Sequence, residues 1–210
     1  MSITTRLHAI QKEATRTNAQ LIAVSKQQSA AAIDEALAAG QRIFGENRVQ
    51  EAQSHWSERR KNYPDLQLHL IGPLQSNKAA EAVSLFDVIQ TIDREKIALA
   101  LDTEMQRQKK HPPCFIQVNT GEEPQKAGIF PDQLNDFLIF CRTNTQLNIT
   151  GLMCIPPVDA PPALHFMLLR KLADRHGLSQ LSVGMSDDYQ TALRCGATFV
   201  RVGSGIFGNR

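Results

Sequence analysis

Cysteine is sparse and scattered in this chain. Cys114, Cys141, Cys154 and Cys195 form no C-x-x-C pair and have no histidine partner at metal-ligand spacing. That argues against a zinc or dithiol motif and leaves buried thiols in a reducing compartment. Long apolar runs are missing too. No stretch of 18 apolar residues occurs, so no membrane-spanning helix is expected. Residues 1–20 are polar and mixed in charge, without the apolar stretch of a secretory signal, and a cytoplasmic location is expected. The net charge of +2 comes with no basic block, which removes the electrostatic footprint of a nucleic-acid binder. No exposed heptad or repeat calls for assembly, so a monomer is expected. Tyrosine occurs only at Tyr63 and Tyr189, which limits the acid–base chemistry considered below.

What is present points to a packed globular fold. The chain is 42% hydrophobic and 21% charged, the balance of a chain with a core rather than a disordered one. Its 210 residues suit one α/β barrel domain, or at most two small ones. Apolar runs of strand length alternate with segments of helical period. Strands are expected at residues 21–26, 42–45, 66–71, 86–91, 114–118, 147–152, 181–183 and 198–202. Between them, Ile33, Ala36 and Leu37 mark one helix, with Ser29 capping its start and Gly40 its end. Val49, Ala52 and Trp56 mark another. Ser76 opens a short one, and Asp93 is placed to cap a helix carrying Ile97, Ala100, Leu101 and Met105. Leu134, Phe137, Leu138 and Cys141 follow the i, i+3, i+4, i+7 pattern. Further helices are expected over 164–175 and 186–195. Eight β-then-α units predict a single α/β domain over 1–210, a closed (β/α)8 TIM-like barrel, with an extra N-terminal helix near residues 3–17 plugging or flanking its bottom. An open doubly wound sheet is the alternative.

Three features bear chemistry. Lys26 ends the apolar run Leu21-Ile22-Ala23-Val24-Ser25, where a strand opens a βα unit. An amine there either snorkels into solvent or forms an imine with an aldehyde cofactor. Near the C-terminus, Gly203 to Gly208 matches G-x-G-x-x-G, but only two residues follow in this sequence, so the helix, second strand and acidic residue of a dinucleotide site are missing. The glycines still let backbone N–H groups approach an anion, and Ser204 adds a hydroxyl. Ser186, in Gly184-Met185-Ser186-Asp187-Asp188, stands at the expected start of a helix, where it caps the helix or grips an anion. Loops after strands seven and eight commonly form a phosphate cradle in barrels. Arg201, among Phe199, Val200 and Val202, is expected to be buried. It either forms a structural ion pair or is a fixed donor at the barrel mouth. Glu46, Asn47, His69, Gln75, Ser76, Asn77 and Met153 cluster at expected strand ends, and His69 alone would read as a core residue.

These motifs, Ala23-Val24-Ser25-Lys26, Phe44-Gly45-Glu46-Asn47-Arg48-Val49-Gln50-Glu51, His69-Leu70-Ile71-Gly72-Pro73-Leu74-Gln75-Ser76-Asn77-Lys78, Gly151-Leu152-Met153, Gly184-Met185-Ser186-Asp187-Asp188 and Val200-Arg201-Val202-Gly203-Ser204-Gly205-Ile206-Phe207-Gly208, resemble those of the pyridoxal phosphate homeostasis protein family. The resemblance runs from about residue 20 to the end. It implies a barrel similar to the N-terminal domain of alanine racemase and pyridoxal 5′-phosphate held as an internal aldimine on Lys26. Ser186, Gly203 and Ser204 would grip the phosphate, and Arg201 would face the pyridine nitrogen. Asn47, His69, Ile71 and Met153 would line the ring. Two features depart from the family pattern. The segment after Met153 is shorter, bracketed by Pro156-Pro157 and Pro161-Pro162, and a lysine-bearing tail after Arg210 is expected to be missing.

The resemblance also implies binding without efficient turnover. Racemisation needs a second acid–base group opposite the lysine, which alanine racemases take from a tyrosine of a partner subunit's β domain. The chain is expected to end with the barrel and to lack that domain. Tyr63 is expected on the far side of the barrel, and Tyr189 is expected to face outward. Arginine does not give up its proton, so a pyridine nitrogen facing it stays unprotonated and the ring is a weak electron sink. The expected role is buffering or delivery of the cofactor, with pyridoxal phosphate-dependent apo-enzymes as recipients. A weak amino-acid racemase and a sugar-phosphate barrel enzyme are the alternatives.

Overall fold

The structure, a computed structural model, describes residues 1–208. Among them, eight short strands pair in parallel in chain order, and the last closes on the first. They are β1 (Gln20–Val24), β2 (Ile43–Glu46), β3 (Gln67–Leu70), β4 (Val88–Ile92), β5 (Cys114–Gln117), β6 (Ile149–Met153), β7 (Gln180–Ser182) and β8 (Phe199–Val202). The helices are α1 (Ile3–Thr15), α2 (Ala30–Ala38), α3 (Val49–Trp56), α4 (Arg59–Asn62), α5 (Ala79–Leu85), α6 (Glu95–Gln108), α7 (Leu134–Asn144), α8 (Pro162–Arg175), α9 (Tyr189–Arg194) and α10 (Ser204–Phe207). A 3₁₀ turn, Ser76–Lys78, leads into α5. The expected closed barrel is therefore present. Arg210, where the tail was expected to be missing, lies outside the described residues.

The strands are near-continuous apolar runs because both faces are covered. Outward residues such as Leu68, Ile116 and Val200 belong to the main core beneath the helices. Inward residues fill the barrel, with Ile22, Phe115, Met153 and Phe199 forming one cluster. The helical stripes read from sequence are the buried ones: Ile33, Ala36 and Leu37 in α2, Val49, Ala52 and Trp56 in α3, and Leu134, Phe137, Leu138 and Cys141 in α7. Ser29 caps α2, its hydroxyl accepting from the Ala32 amide at 3.2 Å.

Three local expectations need correction. Asp93 does not cap α6. Arg94 is its N-cap residue, and the Asp93 carboxylate accepts from Arg94 Nη1 at 2.5 Å. Phe86 does not begin β4 but closes α5, its amide donating to Ala82 O, so the strand starts at Val88. The helix placed at 186–195 begins at Tyr189, because the Ser186 hydroxyl is engaged elsewhere. Of the two placements expected for the N-terminal helix, plugging or flanking the barrel, it takes the flank. It buries Leu7, Ile10 and Ala14, and Arg6 Nε donates to Ile206 O at 2.6 Å. Helix α1 thus joins the outer ring beside α10, whose four residues are too short to cover the β8–β1 seam.

Candidate cofactor site

Strand alternation explains why the scattered site candidates meet. In β8, Phe199 and Arg201 point inward and Gly203 follows with the same parity. In β3, His69 points inward and Ile71 follows. Register carries this around the barrel: Ile22 pairs with Arg201, Val24 with Gly45, and Gly45 with His69. Lys26, Asn47, Ile71, Ser186, Gly203 and Ser204 all lie just beyond the carboxyl ends of their strands, at one end of the barrel, where such folds carry their sites.

Lys26 is half-buried, and its backbone is pinned on both sides. On one side, Ser25 is fully buried and its hydroxyl donates to Glu46 Oε1 at 2.7 Å. On the other, Gln27 adopts a left-handed conformation (φ 57°) and its amide donates to Glu51 Oε1. Glu46 Oε1 also accepts from His55 Nδ1 at 2.9 Å and from Trp56 Nε1 at 3.0 Å. Glu46 is thus the last residue of β2 and a buried anchor, not a polar group of the mouth. Glu46, Glu51 and His55 bring one ligand atom each within 4.8 Å of one another. Their hydrogen bonds to Ser25, Trp56 and Gln27 make them a brace for the Lys26 turn. Replacing Glu46 by alanine strands three donors, two of them on fully buried residues. The expected loss is about 3–5 kcal/mol of unfolding free energy in urea titrations, and Glu46→Gln is expected to recover part of it.

Beside the lysine turn, on the β8 side of β1, the loops after β7 and β8 are tied together. Ser186 Oγ accepts from the Gly205 amide at 3.1 Å. Its oxygen therefore bridges the two loops instead of capping α9. Gly184 has φ 88°, and a Cβ there would sit 2.4 Å from Ala192 Cβ. A Cβ on Gly205 would meet Val202 Cγ1 at 2.8 Å. A Cβ is thus excluded at both glycines, which leaves backbone bare there, and the neighbouring Ser204 is exposed.

Arg201 is buried at 4% exposure and forms no ion pair among the described residues. The structural ion-pair reading therefore fails. Its Nη1 donates to Ser182 Oγ at 2.8 Å and its Nη2 to Cys154 O at 2.9 Å. Burial pushes its pKa down to about 10, which still leaves it charged at neutral pH. A buried cation held only by neutral acceptors favours a ligand that brings an acceptor or negative charge.

A polar chain crosses the barrel from this arginine. Ser182 Oγ donates to Gln90 Oε1 at 2.6 Å, and Gln90 Nε2 donates to His69 Nδ1 at 2.8 Å. With Nδ1 an acceptor, the neutral ring carries its proton on Nε2, which is buried with no partner among the described residues. Burial lowers the His69 pKa from 6.5 to about 4. An unfolded histidine takes up a proton near pH 6.5, the folded one only near 4. The contribution to stability is complete above that upper value and falls as pH drops towards the lower one. The urea midpoint is expected to decline over that interval, and less steeply in His69→Gln. Gln90 and Ser182 escaped the sequence reading. Their signal was a polar residue of inward parity inside Val88-Ile89-Gln90-Thr91-Ile92 and Leu181-Ser182-Val183.

The remaining candidates fall into place with differing weight. Met153 is fully buried in the inner cluster with Ile22, Phe115 and Phe199, while Asn47 is half-buried. Ile71 is 9% exposed, and its Cδ1 would lie 2.9 Å from a Cβ on Gly45. Both tyrosines lie away from the mouth. Tyr63 stacks on Arg42, which precedes β2, with 4.9 Å from guanidinium carbon to ring centroid. Burial and Glu13 of α1 push Tyr189 up from its usual range. Three thiols are kept in the protonated, unreactive form by burial, which pushes Cys114 well up, Cys141 to about 11 and Cys154 to about 12.

Pyridoxal 5′-phosphate matches this donor set. It carries an anion, a ring acceptor and an aldehyde, and the residues present here include glycine-serine turns, a buried guanidinium and a primary amine.

Comparison with known proteins agrees with the fold and the motifs. The model for the alanine racemase N-terminal domain matches residues 2–210. The pyridoxal phosphate homeostasis protein of Vibrio cholerae is 42% identical, with 99% of this chain and 93% of that protein covered. Its namesake from Escherichia coli is 39% identical over 90% of this chain and 85% of that protein. PipY of Synechococcus elongatus, solved with PLP bound, superposes with a TM-score of 0.89 at 40% identity, covering 99% of this chain and all of that one. With near-complete coverage at this identity, and the alanine racemase N-terminal domain matched almost end to end, this chain belongs to the pyridoxal phosphate homeostasis protein family.

Proposed function

We propose that this protein binds pyridoxal 5′-phosphate at the carboxyl ends of its strands and buffers or delivers it inside the cytoplasm. The observation that carries this reading is Arg201, a buried cation whose hydrogen-bond partners are neutral, beside a loop pair in which Gly184 and Gly205 exclude a Cβ. When bound, the cofactor supplies an aldehyde that condenses reversibly with a primary amine. In this reading Lys26 provides that amine, held in place by the Ser25–Glu46 and Gln27–Glu51 bonds. Ser186, Gly203 and Ser204 hold the phosphate, Arg201 donates to the ring nitrogen, and Asn47, His69, Ile71 and Met153 wall the ring.

The same residues argue for carriage over catalysis. Arg201 stays protonated when it donates, so it leaves the ring nitrogen without a proton. Tyr63 and Tyr189 are engaged with Arg42 and α1, which leaves neither as a second acid–base group. A monomer that hands its cofactor to apo-enzymes fits this chemistry. Two assays test it together. The loaded protein is expected to activate a pyridoxal phosphate-dependent apo-enzyme and to leave L-alanine optically pure. Racemisation at an enzymatic rate would contradict the carrier reading, and so would failure to transfer.

Ser204 is exposed, and backbone donors of the turn remain when its hydroxyl is removed. Ser204→Ala is therefore expected to weaken cofactor binding by no more than about tenfold, roughly 1.4 kcal/mol, in equilibrium dialysis.

A further inference from the structure

A second cavity, of about 680 Å³, opens beside the barrel mouth among the segments following β2, β3 and β4. Lys26, Ser186, Arg201, Gly203 and Ser204 do not line it. Its charged lining is Arg48, Lys78 and Arg94, with no acidic side chain among the lining residues. Two of these cations stand where helix electrostatics disfavour them. Arg48 is the N-cap residue of α3 and Arg94 that of α6, and neither gives its helix a side-chain cap. Helix starts prefer oxygen-bearing or acidic residues, which answer the free N–H groups and the positive end of the dipole. Here arginines add charge of the same sign.

Carboxylates outside the lining answer two of the three cations and leave Arg48 as the one without an ion pair among the described residues. Glu81 pairs with Lys78 at 2.9 Å and Asp93 with Arg94 at 2.5 Å. Arg48 is exposed and has no ion pair among the described residues. Glu51, in the first turn of α3, receives the Gln27 amide. The polar remainder of the lining, Asn47, Gln50 and Gln75, offers further donors. A volume of several hundred cubic ångströms is that of a small-molecule pocket. Guanidinium forks match the oxygens of a phosphate in pairs.

We propose that this cavity is a second, non-covalent site for a phosphate-bearing small molecule, with Arg48, Lys78 and Arg94 as its cationic wall. Because Asn47 belongs both to this lining and to the proposed cofactor wall, an occupant here would touch the residue that separates the two sites. The site also gives a role to Arg48 and to the Gln75-to-Lys78 motif, which the covalent site leaves unused.

The test is a titration of ¹⁵N-labelled protein with inorganic phosphate at low ionic strength, with chloride at matched ionic strength as the control. Saturating shifts are expected at the amides of Arg48, Val49, Gln50, Lys78 and Glu95. Arg48→Glu is expected to weaken that set of shifts by at least about tenfold. Arg48 is exposed, so its replacement should leave the rest of the spectrum in place, and Lys78→Gln is a second variant expected to weaken the same set. Shifts confined to residues 184–186 and 203–205 would overturn the second site while leaving the cofactor reading intact. The proposal also fails if saturating phosphate moves no amide around the cavity, or if the shifts survive unchanged in Arg48→Glu.

Discussion

Lys26→Ala is expected to abolish covalent capture of pyridoxal phosphate while leaving a folded protein that still binds it weakly. The amine is the only part of the proposed site that forms a bond to the cofactor, whereas the loop pair after β7 and β8 and the buried Arg201 are untouched by the change. Affinity is expected to fall by roughly 100-fold or more, about 2.7 kcal/mol, and the visible band of the bound cofactor to revert to that of the free aldehyde. The fold should tolerate the change. Lys26 lies beyond the end of β1, and the Ser25 Oγ and Gln27 amide bonds that brace its turn are kept in the variant. Dialysis of the variant with fluorescence detection measures both parts. A variant that keeps a covalent adduct would place the reactive amine elsewhere.

The second large effect is expected at Arg201, where binding should fall while stability stays nearly unchanged. Arg201→Met removes a buried charge that has neutral hydrogen-bond partners only. Cofactor affinity is expected to fall about 10- to 100-fold, since the fixed donor and its charge are gone. Stability of the cofactor-free protein is expected to change by less than about 1 kcal/mol, because relief from burying the cation offsets the two lost hydrogen bonds. Ser182→Ala makes the contrast. It leaves Arg201 Nη1 and Gln90 Oε1 without their shared partner and is expected to cost about 1–3 kcal/mol in urea unfolding. If Arg201→Met instead unfolds the free protein and leaves the residual affinity unchanged, the arginine is a structural residue and the proposed ring contact is wrong.

Much of this was legible in the sequence, for physical reasons that can be named. A parallel strand buried on both faces is a short apolar run, so the eight strands stood out, and the α2, α3 and α7 stripes carried the helical period that packing demands. Strand boundaries drifted where a capping residue looked like strand, as with Phe86, whose ring is apolar but whose amide closes α5. Caps were less readable, because a cap is a competition between hydrogen bonds. Asp93 bonds to Arg94 and Ser186 to Gly205, and neither alternative partner can be read from local spacing.

The site divides along the same line. Lys26, Arg201 and the Gly184 and Gly203–Gly205 turns are local signals: charge in an apolar run, or glycine where backbone must be bare. Glu46 was legible as a strand-end residue but its anchoring role was not, because its partners, Ser25, His55 and Trp56, lie just past β1 and in α3. Gln90 and Ser182 were missed because inward parity becomes visible only once register links β4, β7 and β8 across the barrel.

One measurement reaches the central claim most directly: a visible absorption spectrum of the purified protein with added pyridoxal phosphate, followed by borohydride reduction and tryptic mapping. The expected result is a yellow band that bleaches on reduction. A reduced adduct on Lys26 would block cleavage there, so the modified peptide should run uncut from Thr17 to Arg42. No band after adding the cofactor, or a stable adduct found only on other lysines, would contradict the account.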